Sequence, residues 1–149
     1  SIIDHVTSTA AEDGLEFRMD RALRANTLLA HRLVWRAGQG LSRASQSDTK
    51  ERLLRAYFMD GLHIGSTDAL ADAIAELGDD RDEILAFLES EDGTAEVAAE
   101  LDEARDQGIT AVPTYVFDGQ WAVPGAQDPA TFSKVLRRMA ERALADQTD

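Results

Sequence analysis

The stretch from Gly108 to Gly125, GITAVPTYVFDGQWAVPG, constrains the fold of this chain more than any other. Its β-branched and aromatic run, Thr114 to Phe117, is typical of a strand, and Asp118-Gly119 is a favoured pair for a two-residue type I′ turn. The residues that follow the turn, 120 to 123, can return as the partner strand. The stretch therefore predicts a β-hairpin that begins directly after a Val-Pro step.

Most of the remaining chain has apolar residues at helical spacing between capping residues and glycines. A helix tail is expected at Ile2 to Ala11, and the alternating segment Leu15 to Met19 predicts a short strand or an extended segment. Further helices are expected from Asn26 or Thr27 to Gly38, from Ser47 or Asp48 to Gly61, from Ser66 to Gly78, near Arg81 to Leu88, from Thr94 to Gln107 and from Asp128 to about Ala145. Their inward faces include Leu54, Leu101 and Leu136.

Charge is distributed unevenly along the chain, whose net charge is -13. Between Ser66 and Asp106, 15 acidic residues stand against only Arg81 and Arg105, so this segment accounts for the whole net charge. A surface of this kind repels phosphate backbones, which argues against a nucleic acid partner. Either it is a solvated helical surface or it docks a basic partner.

Composition limits the function classes further. A chain of 149 residues with 44% hydrophobic content suits one compact domain, or a small domain that carries an insertion. It has no cysteine, so it has no disulfide and no thiolate zinc site, and no H-E-x-x-H spacing indicates a metal centre. No apolar run approaches the ~20 residues that span a bilayer. The chain is expected to be soluble and intracellular, with no membrane partner.

Three collinear segments carry a resemblance to a known family. They are LEFRMDRALRANTLLAHRL, ERLLRAYFMDGLHI and GITAVPTYVFDGQWAVPGAQD. Along nearly its whole length the chain resembles the DsbA-like thioredoxin superfamily, and within it the FrnE-type oxidoreductases. The resemblance implies an α/β, thioredoxin-like fold of the DsbA type with a large all-helical insertion. It divides the chain into a thioredoxin segment at 1–25, a helical insertion domain at 26–106, and a thioredoxin hairpin and helix at 107–149.

The same resemblance implies that one part of the family fold is missing. Family members open with a strand, a Cys-x-x-Cys turn and a helix whose N-terminus stabilises the reactive thiolate. This sequence starts after that βα unit, so we expect it to be the C-terminal portion of a longer protein. No catalytic residue is then expected in the chain, and the nucleophile is expected upstream of Ser1.

The strongest candidate for substrate binding is the pair Val112-Pro113. The resemblance implies a cis peptide bond here, which turns the backbone N–H and C=O of Val112 outward to pair with an extended substrate segment. The alternative is an ordinary trans proline at the start of a strand.

Two further sets of residues are candidates for substrate binding. Gln127 and Asp128 lie at a helix start, where backbone N–H groups attract anions, and related members of the superfamily bind glutathione near this position. Asp128 is also explained by capping alone. Asn26, Thr27 and His31 lie at the start of the helix that the resemblance places over the active-site cleft, although a lone histidine is more often a packed or surface residue.

Three hypotheses for function remain open. The first is a cytoplasmic thiol-disulfide oxidoreductase or isomerase that needs no cofactor and acts on a protein or peptide, in which this chain supplies the proline loop and a helical lid and is itself redox-inert. The second is a glutathione-dependent isomerase or transferase similar to 2-hydroxychromene-2-carboxylate isomerase. The third is a non-catalytic module that binds a partner or forms a homodimer, since loss of the first βα unit would expose apolar surface.

Overall fold

The structure is a computed structural model that describes residues 1–146, with side chains to residue 145. It divides into two compact units, Ser1–Leu101 and Asp102–Asp149. The helices are α1 (Ile2–Glu12), α2 (Leu28–Gly38), α3 (Gln46–Arg55), α4 (Thr67–Ala75), α5 (Arg81–Glu89), α6 (Thr94–Asp106) and α7 (Pro129–Asp146), and the strands are β1 (Thr114–Phe117) and β2 (Trp121–Pro124). Within residues 1–146, no helix is both long and apolar enough to cross a membrane.

The core of the first unit lies between α2, α3, α4 and α5. Leu33, Leu53, Leu70, Ile74 and Ile84 are buried in it, each on the inward stripe of its helix. Burial of one such side chain stabilises the fold by about 1.5–3 kcal/mol. The helical spacing of apolar residues therefore identifies these five buried positions correctly.

A buried arginine ties α2 to the end of α5. Arg32 is only 3% exposed and has no carboxylate partner among the described residues. Its Nε donates to the Asp92 carbonyl at 2.8 Å, Nη1 to the Leu88 carbonyl at 3.2 Å, and Nη2 to the carbonyls of Phe87 (2.9 Å) and Ser90 (2.8 Å). The guanidinium thus binds carbonyl groups at the end of α5 and in the loop that follows it.

A buried ion pair fixes the loop that follows α2. Arg36 Nη1 lies 3.1 Å from Asp79 Oδ2, and the same carboxylate accepts hydrogen bonds from the Ser42 hydroxyl and from the Arg43 N–H at 2.6 Å. Burial by itself would raise the pKa of Asp79. The hydrogen bonds from Ser42 and Arg43 and the charge of Arg36 outweigh it, so the pKa lies below its ordinary value.

The start of α3 differs from the sequence prediction. Ser45 is the N-cap, and its Oγ accepts from the Asp48 N–H at 3.1 Å and donates to Asp48 Oδ2 at 2.6 Å. The prediction that Ser47 or Asp48 caps this helix was wrong. Asp48 instead occupies the third helical position, where an acidic side chain can face a serine N-cap and the positive end of the helix.

The helix predicted to continue to Gly61 changes character before it ends. After α3 the chain forms a π-helical segment, Ala56–Asp60, and Gly61 follows with φ of +69°. A Cβ atom at Gly61 would lie 2.6 Å from Arg21 Cβ, so no larger residue fits this conformation. Such wider turns occur often at functional sites, and this one carries Tyr57 and Phe58.

The segment from Leu15 to Met19 forms no strand within the described residues: residues 15–18 have no regular secondary structure, and Met19 lies in a turn. Phe17 stacks on Phe58 with ring centroids 4.7 Å apart, and the Arg18 N–H donates to the Phe58 carbonyl at 2.7 Å. These contacts attach the segment to the π-helical segment within the first unit. Of the two predicted forms, the short strand is not formed, and the extended segment stays a prediction.

The second unit contains the predicted hairpin, with its register shifted by one residue. Asp118 and Gly119 both have positive φ, as a type I′ turn requires, but Phe117 pairs with Trp121 and Tyr115 with Val123. The loop therefore has three residues, and the return strand runs from Trp121 to Pro124 instead of 120 to 123. This register places the large side chains of both strands on one face of the sheet, whereas the predicted register would divide them between the two faces.

That face of the hairpin packs against α7 within the second unit. Tyr115 contacts Phe132 edge-to-face at 4.7 Å, and the Arg142 guanidinium lies 4.6 Å from the centre of the Trp121 ring.

Three leucines predicted to face inward are instead exposed. Leu54 is 44%, Leu101 40% and Leu136 51% exposed. The physical reason for Leu54 is that it lies in the wall of an open cavity. Leu101 and Leu136 belong neither to the buried core cluster nor to the side chains packed against it, so their positions on apolar helical faces did not ensure burial.

Candidate functional site

The loop before β1 presents one residue whose backbone is free. The Val112–Pro113 peptide bond is cis, the geometry that the resemblance implied, and Val112 is 92% exposed. Its neighbours are engaged, because the Ala111 carbonyl accepts from the Thr114 hydroxyl and the Pro113 carbonyl from the Gly125 N–H at 2.7 Å. Within the part of the chain that the structure describes, the N–H and C=O of Val112 have no hydrogen-bond partner.

The connection from β2 to α7 lies beside this loop, since the Gly125 to Pro113 hydrogen bond joins the two. Gln127 Nε2 donates to the Pro124 carbonyl at 3.1 Å, and Asp128 accepts from the N–H and the hydroxyl of Thr131 at 2.9 and 2.7 Å. The hydrogen bonds from Thr131 lower the pKa of Asp128. Both side chains therefore have local structural roles, and Asp128 is the cap of α7.

A cavity of about 570 Å³ opens in the first unit, at the start of α2. We call it the helical cavity. It is lined by Arg24, Ala25, Thr27, Ala30, His31, Val34, Lys50, Leu53, Leu54, Tyr57, Phe58 and Ile64. Its wall is mainly apolar, with five polar side chains and no carboxylate among the lining residues.

The candidates at the start of α2 divide between this cavity and a structural role. Thr27 and His31 line the helical cavity, but Asn26 does not; its Oδ1 accepts from the Leu28 N–H at 2.9 Å and so caps the helix start. Thr27 holds the N-cap position without a side-chain hydrogen bond.

Sequence reasoning missed three polar residues of the helical cavity, namely Arg24, Lys50 and Tyr57. A signal for two of them was present, because Lys50, Leu54 and Tyr57 fall on one face of α3 and its π-helical extension. The apolar members of that face were assigned to the core.

A second cavity, of about 350 Å³, lies between the hairpin and α7 in the second unit. Its lining residues are Trp121, Ala122, Val123, Val135, Arg138, Met139 and Arg142. Among the described residues no group of three or more acidic or histidine side chains could hold a metal ion.

Comparison with known proteins places this geometry in a family. The family model of the DSBA-like thioredoxin domain matches residues 1–137. The chain belongs to this family. Among solved structures, this DSBA-like chain is similar to a probable DsbA oxidoreductase from Streptomyces coelicolor, with 27% identity and a TM-score of 0.81. A search of curated proteins gave no match.

The similarity covers 91% of this chain and 57% of the Streptomyces protein, so the chain spans little more than half the length of that relative. The α/β, thioredoxin-like fold of the DsbA type with a helical insertion is confirmed. The narrower FrnE-type assignment, the domain boundaries at 26 and 106, and the roles of the candidate site residues stay predictions.

Proposed function

We propose that this chain supplies the substrate-binding part of a thiol-disulfide oxidoreductase, in which an extended protein or peptide segment lies along the Val112 loop. Membership of the DSBA-like family and the similarity to a probable DsbA oxidoreductase support this class of reaction. The observation that carries the proposal is the exposed residue Val112 before β1, whose backbone N–H and C=O have no partner within residues 1–146.

An extended peptide can use these two groups as an added strand does. One residue of the peptide donates its N–H to the Val112 carbonyl and accepts from the Val112 N–H, which forms a two-hydrogen-bond pair. Because the hydrogen bonds involve only the backbone, they tolerate many substrate sequences. A protein that acts on disulfides in different surroundings needs such tolerance.

The chain itself has no thiol, so it holds the substrate but does not attack it. In this proposal the attacking cysteine comes from outside these 149 residues. Its thiolate would attack one sulfur of a substrate disulfide, form a mixed disulfide and release the other sulfur as a thiolate. A second thiol would then resolve the mixed disulfide.

Calorimetric titration with a short peptide tests the binding step. The ligand is a hexapeptide with an S-carboxamidomethylated cysteine, and the matched control is the same peptide methylated on the N–H of its central residues. We expect the first peptide to bind and the methylated peptide to bind at least tenfold more weakly, because methylation removes the donor that faces the Val112 carbonyl. Equal binding of the two peptides, or no binding of either, contradicts the proposal.

An insulin reduction assay tests the redox part. With dithiothreitol as reductant, the 149-residue chain should leave the rate of insulin precipitation unchanged. An accelerated rate would show that the chain has a catalytic group of its own.

The glutathione hypothesis gains no support from Gln127 and Asp128, whose side chains are engaged locally. It stays a prediction, as do a cytoplasmic location and self-association as a homodimer. Titration with glutathione, with chemical shifts followed at these two residues, tests it directly.

A further inference from the structure

The polar side chains of the helical cavity are donors without acceptors. Arg24, Thr27, His31, Lys50 and Tyr57 line it, and none of these side chains has a hydrogen bond or ion pair within the described residues. Elsewhere in the same unit, arginines are commonly paired with carboxylates, in ion pairs formed by Arg18, Arg36, Arg52, Arg55 and Arg81. The cavity therefore brings together hydrogen-bond donors that have no described acceptor, in a unit where several arginines pair with carboxylates.

The charge of the cavity is opposite to that of the protein. The chain has a net charge of -13, yet the lining contains two cationic side chains, Arg24 and Lys50, and no Asp or Glu. A negatively charged group in the cavity would meet both cations without a nearby carboxylate in the wall to repel it. A cationic ligand would meet unfavourable charge.

The start of α2 adds a second source of positive potential. Its Leu28 N–H is bonded to Asn26 Oδ1, but the N–H groups of Leu29 and Ala30 have no acceptor among the described residues. Ala30 itself lines the cavity. The N-terminus of an 11-residue helix favours an anion within its first turn.

The rest of the wall fits an apolar body. Leu53, Leu54, Ile64 and Phe58 contribute aliphatic and aromatic surface, and Leu54 remains 44% exposed because nothing in the described chain fills the space in front of it. A volume of about 570 Å³ lies within the ~300–1,000 Å³ of typical small-molecule sites.

We propose that the helical cavity binds a small organic carboxylate with an apolar tail. The carboxylate lies near Arg24 and Lys50, and the tail lies against Leu54 and Phe58. The proposal uses only residues of the first unit and does not depend on the function proposed for the Val112 loop, so either can fail without the other.

Calorimetric titration with octanoate, compared with 1-octanol, tests this proposal. The two ligands share a tail and differ in charge, so octanoate should bind at least fivefold more tightly, and this preference should shrink as salt is added. The double variant Arg24→Gln, Lys50→Gln should weaken octanoate at least tenfold and leave 1-octanol unchanged. Arg55→Gln, on the exposed side of the same helix as Lys50, is the matched control and should have no effect.

Equal affinity for octanoate and 1-octanol would contradict the claim that Arg24 and Lys50 recognise a carboxylate. If neither ligand binds, the claim that the helical cavity is a binding site is wrong. Unchanged octanoate binding in the double variant also refutes it. If circular dichroism shows that the double variant does not fold, Leu54→Trp provides the second test. The added ring would occupy the cavity, so it should abolish binding of both ligands, and retained binding would contradict the proposal.

Discussion

The replacement of Arg32 by methionine should destabilise the first unit strongly. Methionine has a long unbranched side chain that can follow the path of the arginine, but it donates no hydrogen bond. In the structure Arg32 donates to four carbonyls and lies 5.0 Å from the centre of the Phe87 ring. The variant removes all of these interactions at once.

The magnitude follows from the carbonyls left without a donor. The Phe87 carbonyl keeps the N–H and hydroxyl of Ser90, so three carbonyls lose their only described partner, those of Leu88, Ser90 and Asp92. Each unsatisfied group costs about 1–3 kcal/mol, and the lower value applies because this loop is partly exposed. We expect a loss of about 3 kcal/mol, or a fall of about 6–12 °C in Tm for a chain of this length.

The assay needs a signal that reports on the first unit alone. Trp35 lies in α2 and Trp121 in β2, so a Trp121→Phe background leaves Trp35 as the only tryptophan. Urea unfolding followed by Trp35 fluorescence then measures the free energy of unfolding of the unit that contains Arg32.

Arg55→Met is the matched control, because Arg55 is half exposed and its described partners are Glu51 on the same helix face and the weakly accepting sulfur of Met59. It should change the free energy of unfolding by no more than about 0.5 kcal/mol. A loss below 1 kcal/mol for Arg32→Met, or equal losses for the two variants, would refute the claim that Arg32 holds the end of α5.

Two further predictions concern particular contacts in the first unit. Gly93→Ala should lower the free energy of unfolding in urea by at least 1 kcal/mol more than Gly40→Ala does. Both glycines have positive φ, but a Cβ atom at Gly93 would lie 2.7 Å from the Trp35 ring, whereas one at Gly40 meets nothing within 4 Å. Equal losses in the two variants would contradict this prediction. Asp79→Asn should cost about 2 kcal/mol at pH 7. Folding lowers the pKa of Asp79, so the stabilisation by its carboxylate is present above the ordinary carboxyl pKa of about 4 and is lost as the pH falls through the folded value. The difference in free energy of unfolding between wild type and Asp79→Asn should therefore narrow below about pH 4. A difference that stays constant with pH would argue against a stabilising role for the charge of Asp79.

The fold could be predicted from the sequence largely because local signals and packing agree. Gly108, for example, was expected to end α6, and it does so with φ of +72° and a hydrogen bond from the Ile109 N–H back to the Ala104 carbonyl. Where a residue type has one strong conformational use, as glycine has here, the sequence alone is sufficient.

The predictions of the α3 N-cap and of the hairpin register were wrong because neighbouring residues or registers satisfy the same local preference. Ser45, Ser47 and Asp48 all favour an N-cap, and only the tertiary position of α3 selects Ser45. The hairpin register shows the same limit, because the turn pair Asp118-Gly119 is compatible with either register. The gathering of large side chains on one sheet face decides between them.

The candidate site was predicted in part. The Val112 loop depended on a family resemblance, because a Val-Pro dipeptide alone does not show that its backbone is exposed. The helical cavity was not predicted: Lys50, Leu54 and Tyr57 share one helix face, but the apolar positions of α3, such as Leu54, give the same pattern whether they face a core or an empty space. Only the arrangement of α2, α3 and the π-helical segment distinguishes the two.

The most direct test of the account is the response of the Val112 amide to an extended peptide. In ¹⁵N-labelled protein, titration with the carboxamidomethylated hexapeptide should shift the Val112 N–H signal and slow its exchange with solvent, because that N–H gains an acceptor. An unchanged Val112 signal at peptide concentrations that saturate binding would contradict the central claim that this loop holds the substrate.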